Sequence, residues 1–168
     1  MSVSLKLPYL GGIEGTWEPD ESERRAAWEM YVELVTRVST VELAAGEGLL
    51  LDALTSLYSL FESTRRILRQ YGPSVATPKG RGGLSFGYLA VAILNNVLRP
   101  TLAKWHPLLV DYESKRDANV SPIEHEQQWE KNAELREALN AVRDVLNEYA
   151  SLLAYVANVP VLSQSPAR

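Results

Sequence analysis

Apolar residues recur at every third or fourth position along four long segments of the chain, which is the period of an amphipathic α-helix. Glycines and prolines separate these segments. The first predicted helix opens at Asp20, where Glu23 stands at the spacing of a capping box, and its apolar face extends to about Val41. The second predicted helix ends at Gly72-Pro73, a strong C-terminal signal.

The third segment is almost continuously apolar from Leu84 to Leu98, and Ser85 is placed to cap it. Its apolar stripe continues to Trp105 and beyond, although Pro100 interrupts the pattern. A proline inside a helix removes one backbone hydrogen bond and crowds the preceding turn. We therefore expect either one long helix kinked at Pro100 or two helices in series.

The fourth segment begins at Ser121, Pro122 and Glu124, which supply an N-cap, a first-turn proline and a capping-box acid in order. Apolar residues then follow in heptad spacing and end before Pro160, at Leu135, Leu139, Val142, Leu146, Tyr149, Leu153 and Val156. Four such helices predict an all-α fold, an antiparallel four-helix bundle with a Pro-kinked third helix.

The pattern divides the chain into three parts. Residues 1–19 are expected to form an irregular N-terminal arm, residues 20–158 the helical bundle domain and residues 159–168 a flexible C-terminal tail. Val3, Leu5 and Leu7 alternate with polar residues and could form a short extended piece. No other strand is predicted.

The composition narrows the classes of function. The 168 residues include 17 Lys and Arg against 21 Asp and Glu, so bulk charge does not favour binding to nucleic acid or anionic lipid. The absence of cysteine excludes disulfides, thiolate catalysis and cysteine-based metal sites. The chain shows no signal peptide and no membrane-spanning run, so a cytoplasmic protein without membrane association is expected.

Catalytic motifs are lacking. The two histidines, His106 and His125, are preceded at three residues by Ala103 and Pro122, so neither forms the Glu-x-x-His unit of a di-iron bundle. Nucleophile-elbow and nucleotide-binding loop patterns are also missing. We expect no enzyme activity, catalytic residue, metal or cofactor.

A first candidate site is the glycine-rich loop 78–83, which leads into the third helix. Exposed N–H groups at a helix start attract anions, and basic residues would surround them. The residues assigned to a small-anion or nucleotide site are Arg65, Arg69, Lys79, Arg81 and Ser85. The alternative is that arginines near a helix end stabilise the helix dipole and that the loop is merely flexible.

A second candidate site surrounds Pro100. In an antiparallel arrangement Trp105 would approach Trp129 or Lys131. The polar residues there would project outward together with an exposed Trp129. The residues assigned to a protein-partner site are Arg99, Lys104, His106 and Trp129. The alternative is that Trp105 belongs to the core and Arg99 pairs with an acid of the fourth helix.

The segment Leu98–His106 reads L-R-P-x-L-x-K-W-H and resembles a motif of uncharacterised bacterial helical proteins, some of which are associated with antiviral defence loci. The stretch from Gly12 to Val35, which opens with GIEGTW, is similar to the same proteins. The resemblance covers most of the predicted bundle. It implies no activity and no catalytic residue.

The sequence therefore predicts a non-enzymatic interaction or regulatory module, and the resemblance alone implies a place in a bacterial defence system. One alternative is a sensor that binds a small anionic ligand or nucleotide at the basic end of the bundle. Another is a self-assembling structural protein whose exposed aromatic residues form contacts between copies.

Overall fold

The structure is a computed structural model that describes residues 2–10, 12–37, 44, 46–80 and 83–162. It is mainly helical, as predicted. The helices are α1 (Glu21–Val35), α2 (Leu50–Tyr71), α3 (Phe86–Ile93), α4 (Arg99–Ser114), α5 (Pro122–Gln127) and α6 (Asn132–Ala157), with a π-helical turn at Leu94–Leu98 and 3-10 turns at Pro8–Leu10 and Pro73–Val75. In the described part of the chain, no helix has both the length and the apolar character that crossing a bilayer requires.

A three-stranded sheet accompanies the helices, so the all-α prediction and its four-helix bundle are correct only in the predominance of helix. The strands are β1 (Val3–Leu7), β2 (Ile13–Trp17) and β3 (Gly83–Leu84). β2 lies in the middle, antiparallel to β1 and parallel to β3. The predicted irregular arm is therefore largely a hairpin, and β3 is too short to give a sequence period.

α1 begins and α2 ends at the predicted boundaries. The Glu23 N–H donates to Asp20 Oδ1 at 2.9 Å, and the Asp20 N–H donates to Glu23 Oε2 at 3.2 Å, which completes the capping box. Gly72 ends α2 with φ of 71°, a conformation that glycine adopts without a Cβ clash. α1 ends at Val35, and Val41 lies outside the described residues.

The predicted third helix is a helical segment without a break from Phe86 to Ser114. Pro100 has no N–H to donate to the Asn96 carbonyl, and its ring crowds that carbonyl. The turn at Leu94–Leu98 is widened into a π-helix, in which the Arg99 N–H donates to the carbonyl of Leu94. The backbone thus accommodates the proline through the turn that precedes it.

The predicted fourth helix is divided into α5 and α6, and one acid of its polar beginning lies in the interior. Glu126 is buried, and its carboxylate accepts the N–H of Leu50 at 2.8 Å and of Leu51 at 3.2 Å. α2 has no side-chain cap of its own. A carboxylate from α5 therefore caps α2, which joins two elements far apart in the sequence.

α6 carries the predicted heptad seam to the core, and all seven of its apolar residues are buried. α6 packs along α1, while α2 packs on both α1 and α4. Part of the predicted flexible tail is also anchored, because the Leu162 N–H donates to the Tyr31 hydroxyl. The helices thus enclose one core, and the sheet adds its apolar face to that core through Leu5 and Trp17.

Candidate functional site

The beginning of α3, the predicted anion site, already holds a carboxylate of the protein itself. Ser85 caps the helix as predicted, accepting the Tyr88 N–H at 3.2 Å. The Phe86 N–H, however, donates to Glu23 Oε1 at 2.9 Å. The Trp17 indole donates to the same oxygen at 2.9 Å. Glu23 is only 1% exposed, so the helix start faces a buried carboxylate rather than solvent.

Lys79 is bound within this network. Its Nζ lies 2.7 Å from Asp20 Oδ2 and 3.1 Å from Glu23 Oε2, and it donates to the Ser74 carbonyl at 2.8 Å. Burial lowers the pKa of Lys79, but the hydrogen bonds to the two carboxylates outweigh this and raise it overall. The ammonium group balances internal negative charge and is not directed at an external anion.

The predicted anion-binding residues are therefore dispersed. Lys79 belongs to the Glu23 network, Ser85 caps α3 and donates to the Ala76 carbonyl, and Arg81 lies outside the described residues. Arg69 borders a groove of about 420 Å³ between the end of α2 and α3. Arg65 borders a different cleft. The described side chains therefore do not share one site: Lys79 is bound to Asp20 and Glu23, and Arg65 and Arg69 border separate clefts.

A cleft with a volume of about 610 Å³ lies between α2 and α4. Its lining residues from α2 lie along one face, and those from α4 lie one turn apart. We call it the arginine cleft; it is lined by Thr55, Tyr58, Ser59, Phe61, Glu62, Arg65, Arg99 and Ala103. It combines one residue from each of the two sites that the sequence predicted.

The two arginines give the cleft its positive charge. Arg65 forms no hydrogen bond or ion pair with any other described residue. Arg99 lies over the ring of Phe61, with 5.5 Å from its Cζ to the ring centroid, and its Nε donates to Asn95 Oδ1 at 3.2 Å. Glu62 is the single acid among the described residues that line the cleft. A cation placed over an aromatic ring keeps N–H donors for a further ligand.

His106 adjoins the cleft through an aromatic contact. Its ring lies 4.8 Å from that of Tyr58, at 70°. Tyr58 in turn lies 6.3 Å from Phe61 and remains 46% exposed. The cleft therefore has an aromatic wall beside its two cations.

The predicted partner-binding set is divided in the same way. Arg99 lines the cleft, but Lys104 points towards α6 and lies 2.8 Å from Glu134 Oε1. Trp129 is only 7% exposed, so the prediction that it projects outward is wrong. It stacks on Tyr112 at 5.5 Å and meets Trp105 edge-on at 6.2 Å. Trp105 therefore meets Trp129, one of its two expected neighbours, within the core.

The site residues predicted from the sequence did not include Tyr58, Ser59, Phe61 or Glu62 of the cleft. Their helical spacing with Arg65 is visible in the sequence and marks one polar face of α2. The helix that this face meets is not visible there. Only the packing of α2 on α4 brings Arg99 to it.

The described residues include no group of three or more histidine, aspartate or glutamate side chains that could hold a metal ion. The arrangement offers hydrogen-bond donors and aromatic surface, which suit binding. Comparison with family models, curated proteins and solved structures found no match to this chain.

Proposed function

We propose that this chain is a non-enzymatic protein-interaction module that binds an acidic segment of a partner protein in the arginine cleft. The observation that carries the proposal is the placement of Arg65 and Arg99 in one cleft with a single acid, Glu62. Guanidinium groups present several N–H donors in a planar fork that matches a carboxylate. Arg65 has these donors available within the described structure.

The surroundings of the arginines favour a protein over a small molecule as the partner. Small-ligand sites enclose most of their ligand, whereas the arginine cleft is open to solvent. Arginine and tyrosine are the residues that contribute most at protein interfaces, and Tyr58 stands exposed beside Arg65 and Arg99. A regulatory role in a bacterial defence system is supported only by the resemblance of the segments 98–106 and 12–35 to uncharacterised bacterial helical proteins.

The proposal is tested with a fluorescein-labelled polyglutamate peptide, whose binding is followed by fluorescence anisotropy. The variant Arg65→Gln/Arg99→Gln removes both cations of the cleft from exposed positions. The control variant Arg24→Gln/Arg69→Gln removes the same charge from positions outside it. We expect the cleft variant to weaken binding by about tenfold or more, as loss of an interface hot spot does, and the control to retain it.

Equal weakening in both variants would overturn the proposal, because it would show attraction by overall charge alone. Absence of binding by the wild-type protein at low salt would do the same. Binding of inorganic phosphate or ATP in place of the peptide, lost in the cleft variant, would replace the protein partner with a small anionic ligand.

A further inference from the structure

β1 is an edge strand whose outer side is unpaired within the described structure. The sheet order is β1-β2-β3, so β1 bonds to β2 on one side only. No hydrogen bond among the described residues joins the backbone of Val3–Leu7 to any element other than β2. Such an edge presents a row of free N–H and C=O groups, which is a template for pairing with another strand.

The residues of β1 follow a pattern that is the same when read in either direction. Val3, Leu5 and Leu7 are buried on the core side, while Ser4 and Lys6 are exposed on the other. Two antiparallel copies of this strand pair all five residues in only one register, with Leu5 opposite Leu5 of the second copy. In that register apolar residues meet apolar residues, and the two core-facing surfaces become continuous.

The charges on β1 fit the same register. Lys6 of each copy lies opposite Ser4 of the other. A slip that set Lys6 opposite Lys6 would place like charges directly across from each other, which is destabilising. Within its own chain Lys6 lies 3.6 Å from Glu14 Oε1, so each lysine brings a counter-charge to the contact.

The other edge of the sheet, formed by β3, offers fewer backbone groups for strand pairing. β3 has only two residues, so pairing of β1 with β3 of another copy would form few hydrogen bonds. Pairing of β1 with β1 is also self-complementary, so it closes as a two-fold dimer and leaves no long edge open.

We propose that β1 of one copy pairs antiparallel with β1 of a second copy, with Leu5 opposite Leu5, to form a continuous sheet across a two-fold dimer. A single pair of five-residue strands buries less surface than a standard stable interface. We therefore expect a weak dimer, whose fraction rises as the protein concentration increases. This contact is separate from the arginine cleft and does not depend on its ligand.

The register is tested by disulfide trapping, for which the absence of cysteine from the chain provides a clean background. Ser4→Cys and Lys6→Cys variants are mixed and oxidised, since opposed strand residues lie at the Cα separation that a disulfide requires. We expect a cross-linked dimer that contains one of each variant. Thr16→Cys, on the central strand β2, is the control and should remain uncross-linked.

The strength of the contact is tested by sedimentation equilibrium of the full chain. Ser4→Lys places two lysine pairs across the interface, and Ser4→Glu places two Glu–Lys pairs there, while the exposed position leaves the core unchanged. We expect the dimer dissociation constants of these variants to differ by about tenfold, with Ser4→Glu the tighter. A wild-type protein that stays monomeric at every concentration, equal constants for the two variants, or cross-linking of Thr16→Cys to the same extent would overturn the proposal.

Discussion

The backbone N–H of Phe86 donates to Oε1 of Glu23 at 2.9 Å, across 63 residues of sequence. The carboxylate of Glu126 makes the same kind of contact with the N–H of Leu50, across 76 residues. Both α2 and α3 therefore begin on a buried acid from another element. A carboxylate at a helix N-terminus neutralises the partial positive charge there. These two helix starts are thus closed to external anions. An external anion would instead meet the two arginines of the arginine cleft.

Glu23→Ala tests the role of this contact in stability. The substitution leaves the indole N–H of Trp17 and the Phe86 N–H without an acceptor. It also removes one of the two carboxylates that balance the charge of Lys79. Removing one partner of a buried charged pair costs about 3–5 kcal/mol of unfolding free energy. Urea unfolding followed by circular dichroism measures the loss.

Glu21→Ala is the matched control for that substitution. Glu21 lies in the same helical turn and pairs with Arg25, but both side chains are largely exposed. An exposed pair of this kind contributes less than about 1 kcal/mol. If Glu23→Ala cost no more than Glu21→Ala, the buried carboxylate would not hold the elements together.

Trp129→Ala and Arg99→Ala distinguish a core residue from a residue of the proposed interface. Trp129 is buried against Trp105 and Tyr112, so its truncation should cost about 3–5 kcal/mol and lower the melting temperature. Arg99→Ala, at an exposed position of the arginine cleft, should cost less than about 1 kcal/mol. Differential scanning calorimetry compares the two, and an unchanged melting temperature for Trp129→Ala would contradict its place in the core.

The protonation of Glu126 makes stability depend on pH. Burial raises the pKa of this carboxyl, the N–H groups of Leu50 and Leu51 partly oppose the rise, and the charge on Glu113 adds to it. The folded state therefore holds the proton more tightly than the unfolded state, whose pKa is near 4.5. The stability contributed by this group is full below that pKa and is lost as the pH rises through the folded pKa.

Glu126→Gln isolates this effect because the amide does not titrate. A hydrogen bond that the amide fails to reproduce is lost at every pH. Its cost therefore cancels when the free-energy difference between variant and wild type is compared at two pH values. The unfolding free energy of Glu126→Gln relative to wild type should therefore increase between about pH 4 and pH 7. A decrease over the same range would show that ionised Glu126 is stabilised in the folded state.

The sequence was sufficient for features that depend on neighbouring residues. Asp20, Ser85 and Ser121 form the predicted caps, because capping requires only a side chain and the N–H groups two or three residues later. The heptad seam of α6 is equally local, and its central residue Leu146 is fully buried. Periodicity identifies the buried face without any knowledge of the partner helix.

The sequence was insufficient wherever distant residues meet. Glu23 was predicted only as a local cap, although its carboxylate also accepts the Trp17 indole and the Phe86 N–H. β3 consists of two residues, Gly83 and Leu84, and exists because β2 lies beside it. Likewise, Arg65 and Arg99 line the same cleft because α2 packs on α4. The residue spacing within either helix does not reveal that packing.

The arginine cleft is tested most directly by mapping backbone amide chemical shifts in two-dimensional ¹⁵N NMR while the polyglutamate peptide is added. We expect the shift changes to be concentrated in residues 55–65 of α2 and 99–106 of α4. The amide shifts of Phe86 and Tyr88 should stay unchanged, because their N–H groups already donate to Glu23 and Ser85. Changes concentrated at the start of α3, with α2 and α4 unaffected, would contradict it.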